Sequence, residues 1–446
     1  MRLHRYFSRH RCVLLAAAAI ASTNPTDAGA VAITRGPYLQ LQTTNSIVVR
    51  WRTDKPVVGQ VFFGEKLEML DRKAVEVSKH TEHIVQVTGL APSTKYYYTV
   101  GERKGTNGLI HLAVEQGRHF MTPPAVGRPH PTRVWVVGDS GTANRKVARV
   151  RDAFLTVNGQ QPIDAWLMLG DNAYDNGTDA EYQKAVFEVF APVLANTVLW
   201  PTLGNHDGGS ASSATQSGVY YDIFTLPTRG QAGGTMSGTE AYYSFDLANA
   251  HFVCLDSYDS DRRPGGAMLT WLEQDLAATK QDWIIAYFHH PPYTKGSHDS
   301  DDRKDSDGRM HDMREMVLPV LEAGGTDLVL SGHSHSYERS YLIDGHYGDS
   351  KSLQPFMIKN SSDGREPGGG AYLKPAPHAG HDGTVYTVAG SSGKTSGGKL
   401  NHPVMFLSLN ELGSLVLDVE GLRLDVAFID ERGRRRDNFS IKKEAR

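Results

Sequence analysis

Five short apolar runs, each breaking off into a compact polar cluster, constrain this 446-residue chain more than anything else in it. The runs are Val134–Val137, Ala165–Leu169, Val198–Leu203, Trp283–Phe288 and Leu328–Leu330. Their clusters read Gly138-Asp139-Ser140-Gly141, Gly170-Asp171-Asn172-Ala173-Tyr174, Gly204-Asn205-His206-Asp207, His289-His290-Pro291-Pro292 and Gly332-His333-Ser334-His335. Unbroken apolar runs bounded by turn residues predict strands buried on both faces. Helical spacing fills the gaps: Val147, Val150 and Phe154; Tyr182, Val186, Val189 and Phe190; Met268, Leu272 and Leu276; Met313, Val317, Val320 and Leu321. These stripes are core faces rather than cofactor surfaces, and Gly324 is placed to stop the last of them. Strands alternating with helices predict an α/β domain whose site lies beyond the carboxyl ends of its strands.

Glycine before four of the five clusters lets the backbone turn sharply and brings the side chains close together. A single Gly-Asp or Asn-His means little. Five clusters in order, each at a strand end, predict one shared site, and carboxylates, an amide oxygen and imidazoles suit a hard-to-borderline metal.

Upstream of the α/β region, residues 33–122 read as all-β, with Ile47, Val49 and Trp51, and Tyr96, Tyr98 and Val100, in strand alternation. The pattern Leu90-x-Pro92-x-Thr94-x-Tyr96-x-Tyr98-x-Val100 resembles a late strand of a fibronectin type III sandwich. No ligand residues cluster there, so the module reads as a scaffold, with a substrate lid or a dimer contact as its further uses. Pro123-Pro124 through Pro131 forms a linker. The Asp-dense stretch Asp299–Gly308 lacks EF-hand spacing and reads as a solvated loop, as does Asn360–Gly370. After Gly413, two alternating runs around Glu420-Gly421 predict a hairpin, and Arg434-Arg435-Arg436 a solvated turn.

Residues 1–30 read as a secretory signal: Arg2, Arg5, Arg9 and Arg11 precede the short apolar run Val13–Ala21, with cleavage sites after Ala21 or Ala30. The expected location is therefore outside the cytoplasm, extracellular or periplasmic, with no membrane anchor after cleavage. Cys12 leaves with that segment, and Cys254 reads as a small buried hydrophobe with no partner for a disulfide. Lys and Arg number 47 against 50 Asp and Glu, a balance that gives no reason to expect a nucleic acid partner. Asn176, Asn360 and Asn438 are sequons that matter only in a host that glycosylates.

Taken in order, the five clusters resemble the ligand motifs of the calcineurin-like metallophosphoesterases. Tyr174, three residues after Asp171, narrows the resemblance to the purple acid phosphatases, which also carry a β-module before the catalytic domain. The resemblance covers nearly the whole mature chain. It departs in Ala286, where the family often has Val, and in the adjacency of His289 and His290; His289 fits the pattern, leaving His290 behind the ligands. It implies a catalytic domain over residues 131–446, including the C-terminal hairpin, built as a four-layer α/β/β/α sandwich of mixed sheets.

By the same resemblance Asp139, Tyr174 and His335 bind one metal, Asn205, His289 and His333 bind a second, and Asp171 bridges them. The implied pair is Fe3+ with Zn2+, Mn2+ or Fe2+, because phenolate suits a hard trivalent ion. His206 stands where the family contacts the phosphate or protonates the leaving group. His298 matches a substrate-side His of the plant relatives, although Asp299 replaces the second His they have. The implied activity is hydrolysis of phosphate monoesters at acidic pH by a metal-activated hydroxide. A phosphodiesterase or nucleotidase using the same site is the enzymatic alternative, and a phosphate-binding protein with a degenerate site the non-enzymatic one.

Overall fold

The computed structural model describes residues 31–104, 108–111, 117–366 and 368–444, so the segment read as a signal lies outside the described residues. The first part is all-β, as expected. A three-stranded antiparallel sheet runs in the order Ile33–Gln40, Ser46–Val57, His80–Thr88. A second antiparallel sheet has Arg72–Val75, Gly59–Gly64, Lys95–Lys104 and Gly108–His111 in that order, with His119–Met121 also paired to Lys95–Lys104. Ile47, Val49, Trp51, Tyr96, Tyr98 and Val100 are buried between the sheets.

The alternate residues of the first sheet are buried too, for a reason the pattern did not carry. Tyr38, Gln40 and Arg50 reach across to the α/β region. The Tyr38 hydroxyl donates to Ile223 O at 2.7 Å, Gln40 Nε2 donates to Leu199 O at 2.8 Å, and Arg50 donates to Thr225 Oγ1 at 3.0 Å. Arg52 grips Asp179 with two bonds of 2.7 Å. The β-module is thus a buttress fixed to the strand that carries Asn205.

The α/β region holds two seven-stranded mixed sheets. The first runs Leu199–Pro201, Ala165–Met168, Thr132–Val137, Gly413–Glu420, Arg423–Asp430, Arg435–Lys443, Tyr372–Lys374. The second runs Tyr243–Leu247, Ala250–Cys254, Trp283–Phe288, Leu328–Ser331, Val385–Ala389, Tyr337–Ser340, Met405–Leu409. In each sheet the strands leading to the polar clusters are parallel neighbours, so their carboxyl ends open on one side. The sheets pack face to face: Trp200 stacks on Phe245 at 4.0 Å and Tyr337 on Phe428 at 4.2 Å. Helices cover the outer faces. Phe154 of helix Arg145–Asn158 stacks on Trp135 at 4.4 Å, and helix Ala267–Ala278 buries Met268, Leu272 and Leu276 on the other side.

Three expectations need correction, one of them the Met313–Leu321 stripe, which splits into a π-helical stretch Met313–Val317 and a helix Leu318–Ala323. The Tyr182–Phe190 stripe is not one regular helix but a turn at Asp179–Tyr182, a π-helical stretch Gln183–Glu188 and a turn at Ala191–Leu194. The wider turn still keeps Tyr182, Val186 and Phe190 buried. The predicted hairpin gains a third strand, Arg435–Lys443, so Arg435 and Arg436 open a strand rather than lie in a turn. That strand brings Asp437 to a buried pair with Arg339, at 2.6 Å.

His251, fully buried in the second sheet, sits between Asp246 (2.7 Å) and Asp275 (2.8 Å). Burial works to lower it, but hydrogen bonds to both carboxylates win and raise it to about 9. With an ordinary value near 6.5, protonated His251 stabilises the fold fully below about pH 6.5, and that stabilisation is lost as pH rises through about 9. The urea midpoint of metal-free protein should fall across this window, by the equivalent of roughly 2–3 kcal/mol. His251→Gln should flatten the slope; an unchanged slope in the variant would show that other groups cause it.

Candidate metal centre

The strands deliver their polar residues to one cleft between the sheets. Asp139, Asp171 and His333 take positive φ values of 53°, 51° and 66°, conformations uncommon for residues with side chains. Each turn aims a side chain inward where ordinary strand geometry would carry it past. The close approach needs glycine: a Cβ at Gly204 would lie 2.1 Å from Asp171 N, and one at Gly332 2.5 Å from Asp139 Oδ2.

Asp207, which ends the Asn205 cluster, ties the turns together. Its buried carboxylate accepts from Tyr182 at 2.6 Å, Gly204 N–H at 2.9 Å and Asn172 N–H at 3.1 Å. Burial, reinforced by the Asp171 carboxylate, pushes it up to about 7. Beyond Tyr174, Glu181 holds the following turn by accepting from Thr178 N–H at 2.8 Å and Asp175 N–H at 2.6 Å. Thr178 and Glu181 form the capping box of the next helical turn.

Within this frame the predicted residues fall into two groups around Asp171. Its Oδ2 lies 3.0 Å from the Tyr174 hydroxyl, which is also 3.2 Å from Asp139 Oδ1 and 3.4 Å from His335 Nε2. Its Oδ1 lies 3.3 Å from His289 Nε2, which is 3.0 Å from Asn205 Oδ1 and 3.2 Å from His333 Nδ1. Each imidazole is oriented through its other nitrogen. His289 Nδ1 donates to Leu169 O at 2.9 Å, His335 Nδ1 meets Ser396 Oγ at 2.8 Å, and His333 Nε2 meets Ser306 Oγ at 2.6 Å. His290, held by Ser257 at 2.9 Å, brings a ring nitrogen within 4.8 Å of those of His289 and His333.

The chemistry of this donor set suits cations. Asp139 and Asp171 are buried, and no Lys or Arg among the described residues pairs with either. Buried carboxylates require compensation, by cationic side chains or by metal. One phenolic proton at Tyr174 faces two carboxylates and an imidazole, more acceptors than it can serve. Burial, with Asp139 and Asp171, pushes that phenol well above its ordinary value. Burial lowers His289, but Asp171 and Asp139 outweigh it and hold the ring above its ordinary value, so this pocket attracts positive charge. Burial and the neighbouring imidazoles push His333 well below its own, which favours the neutral ring.

His206 and His298 stand at the rim. His206 donates from Nδ1 to Asp175 O at 2.6 Å, and its Nε2 is 3.9 Å from Asp171 Oδ2. Its side chain is 34% exposed. His298 stacks on His333 with ring centroids 3.9 Å apart, and its Nδ1 is 2.8 Å from Asp305 Oδ1. Asp305 and Ser306 come from the loop read as merely solvated, which is a correction: Ser306 donates to Asp305 Oδ1 at 2.8 Å and also supports His333. A sixth strand end, Gly390-Ser391-Ser392-Gly393-Lys394 after Val385–Ala389, also borders the site. Its signal was the same apolar run breaking at glycine, without the Asp or His that marks the other five.

The model of the calcineurin-like phosphoesterase family matches residues 132–337, and that of the purple acid phosphatase N-terminal domain matches residues 34–121. The chain thus joins a purple acid phosphatase N-terminal domain to a calcineurin-like phosphoesterase domain. Purple acid phosphatase 15 of Arabidopsis thaliana is 29% identical over 288 residues, 58% of this chain and 50% of the relative. Acid phosphatase type 7 of Homo sapiens is 27% identical over 281 residues, 58% of this chain and 57% of the relative. The chain thus spans little more than half the length of these two relatives. Among solved structures, the purple acid phosphatase PPD1 from yellow lupin (Lupinus luteus) seeds superposes with a TM-score of 0.70 at 18% identity, covering 92% of this chain and 74% of that one. PhoD superposes at 0.61 and 14% identity, covering 92% and 90%. At these identities both are likenesses of fold alone.

Proposed function

We propose that this chain is a secreted acid phosphatase that hydrolyses phosphate monoesters at a two-metal centre. The observation that carries the reading is Asp171, whose two oxygens face separate donor groups at 3.0 and 3.3 Å. Asp139, Tyr174 and His335 would hold one cation, Asn205, His289 and His333 the other, with Asp171 shared. Phenolate from Tyr174 points to Fe3+ at the first position, with Zn2+, Mn2+ or Fe2+ at the second. When bound, such a pair acidifies water into a nucleophile and draws charge from phosphoryl oxygens.

The chain's own residues do the rest. Neutral Asn205 limits the negative charge of the donor set, so an anionic ester is not repelled. His206 is fixed through Nδ1, its side chain is partly open to solvent, and Nε2 is free to serve a phosphoryl oxygen or the leaving group. His298, fixed by Asp305, offers its other nitrogen from the opposite group. Acid activity fits a trivalent ion, which lowers the pKa of water further than a divalent one.

The purified enzyme should hydrolyse p-nitrophenyl phosphate faster than bis(p-nitrophenyl) phosphate at acidic pH. His206→Ala should lose turnover by roughly 10²–10³-fold at unchanged metal content. A parent faster on the diester would favour the phosphodiesterase alternative, turnover of neither ester would leave a binding protein, and metal lost in step with activity would make His206 a ligand. Secretion rests on residues 1–30, where a basic start, a short apolar run and small-residue sites read as a signal. Exported protein should begin at residue 22 or 31 by mass spectrometry; an intact N-terminus would contradict cleavage.

A further inference from the structure

The sixth strand end carries a lysine that neither motif nor donor group accounts for. The turn after Val385–Ala389 is clamped onto the site at several points. Ser392 N–H donates to Gly138 O at 3.1 Å, and Gly138 N–H donates to Ser392 Oγ at 3.3 Å. A Cβ on Gly390 would come within 2.8 Å of Asp139 Oδ2, and one on Gly393 within 2.5 Å of Asp139 O. Farther along, Ser396 Oγ holds His335 Nδ1 at 2.8 Å. Lys394 is strung between these anchors, and its Nζ lies 4.2 Å from the centroid of the Tyr174 ring. The lysine is half-buried and pairs with no carboxylate among the described residues.

A cation over an aromatic face is an ordinary contact. Its position is not ordinary: the same Tyr174 ring meets the edge of His206 at 4.4 Å, and its hydroxyl joins Asp139 to Asp171. An ammonium group on a pinned loop, without a carboxylate of its own among the described residues, thus shares the Tyr174 ring with His206, the residue proposed to meet the phosphoryl group.

We propose that Lys394 determines ester specificity, its ammonium binding a terminal oxygen of a phosphate monoester dianion. The inference rests on the phosphoesterase reading and names the substrate class for that same site. A monoester presents three terminal oxygens and, above its second pKa of about 6, two negative charges. A diester presents two and one, with a second organic group where the third oxygen would be. A compact point charge on a flexible stem rewards the extra charge, and a neutral ester group set against it leaves the ammonium desolvated and unpaired.

The test compares parent, Lys394→Met and Lys394→Arg at matched metal content and circular dichroism. Each is assayed on p-nitrophenyl phosphate and bis(p-nitrophenyl) phosphate and titrated calorimetrically with inorganic phosphate. The Met variant should lose about 10- to 100-fold in kcat/KM on the monoester, as expected for a charge-assisted contact. It should lose less on the diester, so that the ratio of the two falls about tenfold, and phosphate should bind more weakly in step. Arg should recover most of the phosphate affinity. Equal losses on both esters, unchanged phosphate affinity, or metal lost in proportion to activity would each overturn the proposal. If the parent turns over neither ester, the phosphoesterase reading fails, and the phosphate titrations alone still decide the role of Lys394.

Discussion

Burial of the Asp171 carboxylate between two sets of lone pairs is the constraint on which the rest of this structure depends. A carboxylate removed from water without a cationic side chain beside it is costly, and Asp139 repeats the problem a few ångströms away. It accepts hydrogen bonds from the Tyr174 hydroxyl and from His206 N–H, each at 3.0 Å, but no Lys or Arg among the described residues neutralises it. Positive φ at Asp139, Asp171 and His333 adds backbone strain of about 1–3 kcal/mol at each. A fold that concentrates charge and strain at one point is consistent with a site whose cations complete it, where metal binding contributes to stability as well as to chemistry.

The remainder of the architecture holds that point rigid. Two sheets face each other so that strands from both end at the cleft: Asp139, Asp171 and Asn205 come from one, His289, His333 and His335 from the other. The β-module fixes the edge of the first sheet through Gln40 and Arg50. Asp207, Leu169 O, Ser306 and Ser396 then set the direction of the donors. The donors are thus oriented by main chain and short side chains with little freedom, as a preorganised site requires.

The positions of the clustered donor residues along the chain were legible because apolar runs and polar breaks coincide with strand ends. The helical stripes were legible because burial follows periodicity. The π-helical turn in Gln183–Glu188 was not, since a widened turn preserves which residues face the core. Asp305, Ser306 and Lys394 were hidden for a different reason. They lie on loops whose composition is that of any solvated loop, and only tertiary packing brings them to His298, His333 and Tyr174. Likewise Arg50 and Gln40 sit at outward positions of a strand pattern that does not say which neighbour will cover it.

The proposed iron assignment rests on Tyr174, so metal analysis beside a visible spectrum tests the account most directly. The purified parent should contain two metal ions per chain, one of them iron, as the two donor groups around Asp171 imply. It should be pink or purple from phenolate-to-iron charge transfer, and Tyr174→Phe should lose the colour. A colourless, fully active parent holding only divalent metal would contradict the iron assignment.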